Sequence, residues 1–181
     1  MKYQEGERVK KRFRNISVLI LAGFLSLIGC KAGSNFKYLP QKLGGLSLAK
    51  VLQDKEAAVI INKMHGKTLD DCKNYIAYYG SNTSKNILYI SVYESAEYAK
   101  ANLMNMAMKL AGGSSVFSPL TYSEMGHNVH FETEGMGLKH FFYRTDNILF
   151  WWQVEPDKAK ATYKDLLKFD FSGLNKRANR R

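Results

Sequence analysis

Apolar side chains return every three to four residues in three stretches of the chain and every second residue in several others. Over 54–65, Ala57, Ile60, Ile61 and Met64 share one side of a helix that Asp54 is placed to cap. His65 falls in its last turn and Gly66 at the position that commonly ends a helix. A second helix is predicted over about 96–111, with Ser95 as its cap and Ala99, Leu103, Met106, Ala107 and Leu110 as its stripe, ended by Gly112 and Gly113. A third is predicted over about 156–168, where Pro156 suits the first helical position and Ala159, Tyr163, Leu166 and Leu167 face inward.

Elsewhere the period is two. Residues 74–79 and 87–93 read as a strand pair across a polar turn at 80–85. In the second of them Leu88, Ile90 and Val92 share one face, and Tyr89, Ser91 and Tyr93 the other. Residues 116–122 form a weaker strand, because Pro119 suits an edge or a bulge. Strands over 128–133, 138–144 and 148–154 follow, joined by turn residues at 134–137 and 145–147. Pro40 and Gly44-Gly45 mark turns before the first regular element. Short turns make neighbouring strands antiparallel. The expectation is an α+β domain: a single, mainly antiparallel sheet of about five to six strands with about three helices packed on it.

Composition narrows the class. With 181 residues, 45% hydrophobic and 13% aromatic, the chain holds enough apolar material for one folded domain plus a tail. Two cysteines exclude a disulfide-rich scaffold and a cysteine-based zinc cluster. A mean hydropathy of −0.32 excludes a polytopic membrane protein. The net charge of +11 is concentrated at the ends. Lys2, Arg8, Lys10, Lys11, Arg12 and Arg14 stand before residue 16, and Lys176, Arg177, Arg180 and Arg181 close the chain.

Between the basic start and Lys31 lies an uncharged apolar run over 16–28. It is shorter than the ~20 residues a helix needs to span a bilayer, and matches the apolar core of a secretory signal. The run ends Leu27-Ile28-Gly29-Cys30. This resembles the lipobox of bacterial lipoproteins. The resemblance covers residues 1–31 and implies cleavage between Gly29 and Cys30. It implies a diacylglycerol and an acyl chain carried covalently by Cys30, and no other cofactor is expected. The resemblance divides off a cleaved signal peptide at 1–29 and a lipidated cysteine and tether at 30–38, leaving the α+β domain read from period at 39–171 and a basic, solvated tail at 172–181. It also implies a domain on the periplasmic or extracytoplasmic side of a cell envelope, held to the membrane through the lipid anchor.

Candidate chemistry in the body of the chain is sparse. No nucleophile elbow, phosphate-binding glycine loop, metalloprotease motif or dinucleotide fingerprint occurs. Cys72 is the only thiol left beside Cys30 and reads as a small residue opening a strand. His65-Gly66 reads as a helix end. His127 and His130, three apart on a strand, point to opposite sides. His130, Glu132 and His140 lie on strands joined by a hairpin and form a candidate metal group. Tyr143, Phe150, Trp151 and Trp152, on adjacent strands, form a candidate aromatic groove for a small apolar ligand or a partner protein. Nucleic acid is not expected for an exported protein. The leading expectation is an envelope lipoprotein whose domain binds a partner protein or a small ligand without doing chemistry. The alternatives are an envelope enzyme with a metal at His130, Glu132 and His140, and a structural assembly lipoprotein.

Overall fold

The computed structural model describes residues 36–65, 72–113, 116–126 and 128–178. The elements in chain order are β1 (Lys42–Leu43), β2 (Leu46–Gln53), α1 (Asp54–His65), β3 (Cys72–Tyr79), β4 (Asn86–Tyr93), α2 (Ala96–Ala111), β5 (Thr121–Met125), β6 (Asn128–Gly135), β7 (Leu138–Thr145), β8 (Ile148–Val154), α3 (Pro156–Lys168) and α4 (Ser172–Ala178). The signal segment, Gly29-Cys30, residues 31–35, Gly66 and His127 lie outside the described residues.

Sheet order follows from where the chain can turn tightly. Short hairpins keep β3 beside β4, and likewise β5 to β8 in turn, while β2 reaches its place beside β3 through α1. The connection from β4 through α2 carries the chain to the far edge, and the last four strands return until β8 pairs with β4. The result is one eight-stranded antiparallel sheet in the order β1-β2-β3-β4-β8-β7-β6-β5.

Alternation along each strand then builds two cores. One face carries Ile76, Tyr89, Leu149, Trp151, Phe142 and Phe131 and is covered by α1 and α2. The other carries Tyr75, Leu88, Ile90, Phe150, Trp152 and Tyr143. It is covered by α3, α4 and residues 36–43, through Leu39, Leu43, Leu166, Phe171 and Leu174. Helix α2 begins where the Ser95 hydroxyl accepts from Tyr98 N–H at 3.2 Å. It ends where Gly112 N–H donates back to the Met108 carbonyl at 3.0 Å.

The expectation of five to six strands and three helices is corrected to eight strands and four helices among the described residues. Strand β2 escapes the alternation rule because a bulge between Leu48 and Lys50 breaks its period against β3. Its partner β1 has two residues, too few for any pattern. The strand expected at 116–122 is divided. Phe117 bridges Gly135, Ser118 N–H donates to Glu134 at 2.7 Å, and regular pairing resumes only at Thr121, after Pro119, which has no N–H to give. The tail read as solvated begins with α4, whose Leu174 is buried against the second core. Seven residues are too few to show a helical stripe.

The β1–β2 turn shows why a glycine is required there. Gly44 and Gly45 have φ of 54° and 85°, the left-handed pair of a tight hairpin. Gly44 N–H donates to Asp165 on α3 at 2.8 Å, and a Cβ on Gly44 would stand 2.8 Å from the Thr162 backbone nitrogen. Gly44→Ala is therefore expected to destabilise the domain by about 2–3 kcal/mol, from backbone strain plus a clash that the helix backbone cannot relieve. Gly45→Ala, with open space around it, should cost about 1 kcal/mol. Urea denaturation of the two variants measures the difference.

Candidate functional site

On the first face, α1 and α2 stand on either side of one cleft. Between them a strip of sheet is left as the floor of an open cleft of about 340 Å³. The floor comes from Tyr89 and Ser91 of β4 and Leu149 and Trp151 of β8, which the register pairs directly as Tyr89 with Trp151 and Ser91 with Leu149. Ile61 and Met64 of α1 form one wall, and Met106, Lys109 and Leu110 of α2 the other, with Phe117 at one end. The size falls within the roughly 300–1,000 Å³ of small-molecule sites. The lining is mostly apolar, with two hydroxyls and one ammonium group.

Each polar group has a defined state. Burial and the neighbouring Tyr78 push the Tyr89 hydroxyl up to about 12, so it remains a hydrogen-bond donor at neutral pH. Ser91 donates its proton to buried Asn74 Oδ1 at 2.8 Å, and its hydroxyl also bonds the Tyr93 side chain. Lys109 is exposed at the rim.

Trp151 is held from behind. Its indole N–H donates to His140 Nδ1 at 3.1 Å, and His140 Nε2 lies 3.2 Å from the Gly135 carbonyl. An indole can only donate, so Nδ1 must be unprotonated and Nε2–H must donate to the carbonyl. His140 is thus the neutral Nε2–H tautomer, in agreement with a pKa lowered chiefly by burial. The Trp151 ring stacks on Phe142 with centroids 5.0 Å apart, and Phe142 stacks on Phe131 at 5.1 Å. Phe117 meets His140 edge-on at 5.1 Å. It can lie there because residue 135 is glycine, whose missing Cβ would meet the Phe117 ring and stand 2.9 Å from the Val116 carbonyl.

The sheet separates the residues expected to act together. Tyr143, Phe150 and Trp152 are buried in the core of the second face, and of the four aromatic candidates only Trp151 reaches the cleft. His130 and Glu132 project to the second face. His140, opposite Thr133 in the register, projects to the first. No group of three or more His, Cys, Asp or Glu residues that could hold a metal occurs among the described residues. Glu132 is instead 2.6 Å from the Lys139 ammonium group, which also meets Glu134 at 2.6 Å. His130 Nδ1 lies 2.6 Å from the Tyr163 hydroxyl, and its ring stacks on Tyr143 at 4.6 Å. Cys72 is half-buried with its sulfur 3.5 Å from Asn74 Oδ1.

Of the cleft residues, Ile61, Met64, Met106 and Leu110 lie on helix stripes that predict a core face, and Lys109, Phe117 and Leu149 carry no site signal in the sequence. Met106 and Leu110 belong to the same stripe as Leu103, and only the gap between the two helices leaves them half-exposed. The one sequence signal was the alternation that turns Tyr89 and Ser91 away from Leu88 and Ile90.

The two buried histidines make stability depend on pH. Both have pKa values lowered by burial, so below the ordinary value of about 6.5 the unfolded chain binds more protons than the folded one. Stability is therefore complete above about pH 6.5 and is lost as the pH falls through that value. The midpoint of urea unfolding should drop between about pH 7.5 and 5, and the drop should shrink when His130 and His140 are both replaced by glutamine.

Comparison with protein-family models, with curated proteins and with solved structures finds no match. No helix among the described residues is long and apolar enough to cross a membrane.

Proposed function

We propose that the chain is a lipid-anchored protein of a bacterial cell envelope. Its domain binds a small amphipathic molecule in the cleft between α1 and α2. The observation that carries the binding reading is the cleft itself, an apolar trough over Trp151 and Leu149 with a cation at its rim. The apolar body of a ligand lies against Ile61, Met64, Met106 and Trp151. An anionic end meets Lys109, and the Tyr89 hydroxyl offers a donor to fix its orientation. The ligand class is an organic acid with a flat or chain-like hydrocarbon body. The anchor reading is supported by the basic flank, the apolar run and Leu27-Ile28-Gly29-Cys30.

The protein carries its own probe, because its two tryptophans lie on opposite faces of the sheet and only Trp151 lines the cleft. Titration with 1-anilinonaphthalene-8-sulfonate or with dodecanoate should quench or shift the Trp151 emission and saturate. Trp151→Phe should remove that response while the Trp152 emission stays constant. Lys109→Glu should weaken dodecanoate binding roughly five- to tenfold, the worth of one partly exposed ionic contact turned repulsive. Absence of any saturable change, or a change that survives in Trp151→Phe, rejects the cleft as the binding site.

A further inference from the structure

The second face carries a different surface. Lys160, Lys164 and Lys168 recur every four residues along α3 and make one exposed stripe about 12 Å long. No acidic partner is within ion-pair distance of these three among the described residues; on the same helix Asp157 pairs with Lys158, and Asp165 accepts from Gly44. The stripe borders a shallow trough whose floor is Phe141, Tyr163 and Leu167, with exposed Met125 at one edge. Lys139 stands on the opposite bank, neutralised by Glu132 and Glu134. The trough therefore combines apolar floor with an uncompensated row of cations.

Two further observations fall on the same face. Phe36 and Tyr38 pack against the core beneath α3 and α4, so the N-terminal chain enters the domain on this side of the sheet. From Cys30 to Phe36 there are six peptide steps, which span at most about 20 Å. Helix α4 lies on this side too, with Leu174 buried in the same core.

We propose that the α3 face is the surface that lies on the membrane, with the headgroups of anionic phospholipids seated along Lys160, Lys164 and Lys168. This rests on the lipid-anchor reading, which supplies the short tether. The tether confines the domain to the bilayer surface, and the charge selects which face turns toward it. The ligand cleft, on the other face of the sheet, then opens toward the aqueous side. Lysines close to an anionic surface each add attraction that fades within a Debye length.

The test is amine-reactive footprinting of the full-length protein purified from membranes and reconstituted into vesicles. Vesicles of phosphatidylcholine are compared with vesicles containing about one-third phosphatidylglycerol, and acetylation is read lysine by lysine by mass spectrometry. Lys160, Lys164 and Lys168 should label at least about threefold more slowly on the anionic vesicles. Lys55, Lys63, Lys100 and Lys109, on the elements of the other face, should not change. Added salt near 0.5 M should erase the protection. Protein that stays on both kinds of vesicle but labels identically on its two faces overturns the proposal while leaving the anchor intact. An unacylated mass and release from phosphatidylcholine vesicles would mark failure of the anchor instead, and an unacylated chain that also ignores anionic vesicles overturns both. Equal protection by soluble polyglutamate would reassign the stripe to an acidic protein.

Discussion

Replacing Trp152 with alanine is expected to lower the stability of the domain by about 3–5 kcal/mol, a fifth or more of the roughly 5–15 kcal/mol that folded domains possess. Trp152 is fully buried at the centre of the second core. Its indole N–H donates to Thr162 Oγ1 at 3.1 Å, and its ring meets Tyr79 edge-on at 5.6 Å. Those two partners hold the covering layers. Thr162 belongs to α3, and the Tyr79 hydroxyl donates to the Pro40 carbonyl at 2.9 Å, fixing the segment that crosses beneath the helices. Alanine leaves a cavity beneath both and an indole-shaped gap that three packed layers cannot close. Trp151→Ala, one residue away, should cost only about 1–2 kcal/mol, because its ring is partly open to the cleft already. Its main consequence should be loss of ligand binding. Urea denaturation followed by circular dichroism separates the two, with the midpoint falling much further for Trp152→Ala at an unchanged slope. Equal midpoints would overturn the assignment of the two tryptophans to opposite faces.

That contrast shows what the sequence could and could not reveal. Alternation told that consecutive aromatics at 150–152 point both ways, and the β3–β4 hairpin and the helices over 54–65, 96–111 and 156–168 follow from local period. The sheet was undercounted because β2 is an edge-proximal strand whose bulge spoils its period, and because β1 exists only through a two-glycine turn. The candidate groove failed for a different reason. Proximity in sequence grouped Tyr143, Phe150, Trp151 and Trp152, yet a sheet divides neighbours between its faces. His130 and His140 were likewise taken as able to meet across a hairpin. The register sets His140 opposite Thr133, an odd number of residues from His130, and one residue of register decides the face. The cleft depends on the spacing between α1 and α2, a tertiary quantity that no local pattern carries.

Cleft and lysine stripe fit one orientation. On the proposed lipid-anchor reading, a domain tethered by a few residues would sample the bilayer surface at very high effective concentration, so weak attractions would be enough to set its attitude. The exposed lysines Lys160, Lys164 and Lys168 on α3 supply such an attraction on one face of the sheet. The opposite face carries Lys109 at the rim of the cleft, and the apolar lining there is open to molecules arriving from the aqueous side.

The largest effect of any single substitution is expected at Cys30. On the proposed lipid-anchor reading, Cys30→Ser removes the thiol that would receive the diacylglyceryl group, and without that group the cleavage before residue 30 would not follow. Two or three acyl chains anchor a protein firmly, at about 0.8 kcal/mol per buried methylene, whereas a single chain holds it only marginally. The variant should therefore lose stable acyl anchoring altogether and accumulate with residues 1–29 still attached. What remains to hold it is the apolar run at 16–28, which is shorter than the ~20 residues of a spanning helix. Intact mass spectrometry of the membrane fraction distinguishes the two forms directly, and thiol counting gives an independent readout. A processed chain presents only Cys72 to maleimide after denaturation, since the Cys30 sulfur is held in a thioether, while the unprocessed wild-type chain would present both of its cysteines. One reactive thiol in wild-type protein together with a shortened, acylated mass establishes the anchor. Two reactive thiols with a full-length mass would remove it. The α3 stripe would then have to hold the domain to the membrane by charge alone, which salt would reverse.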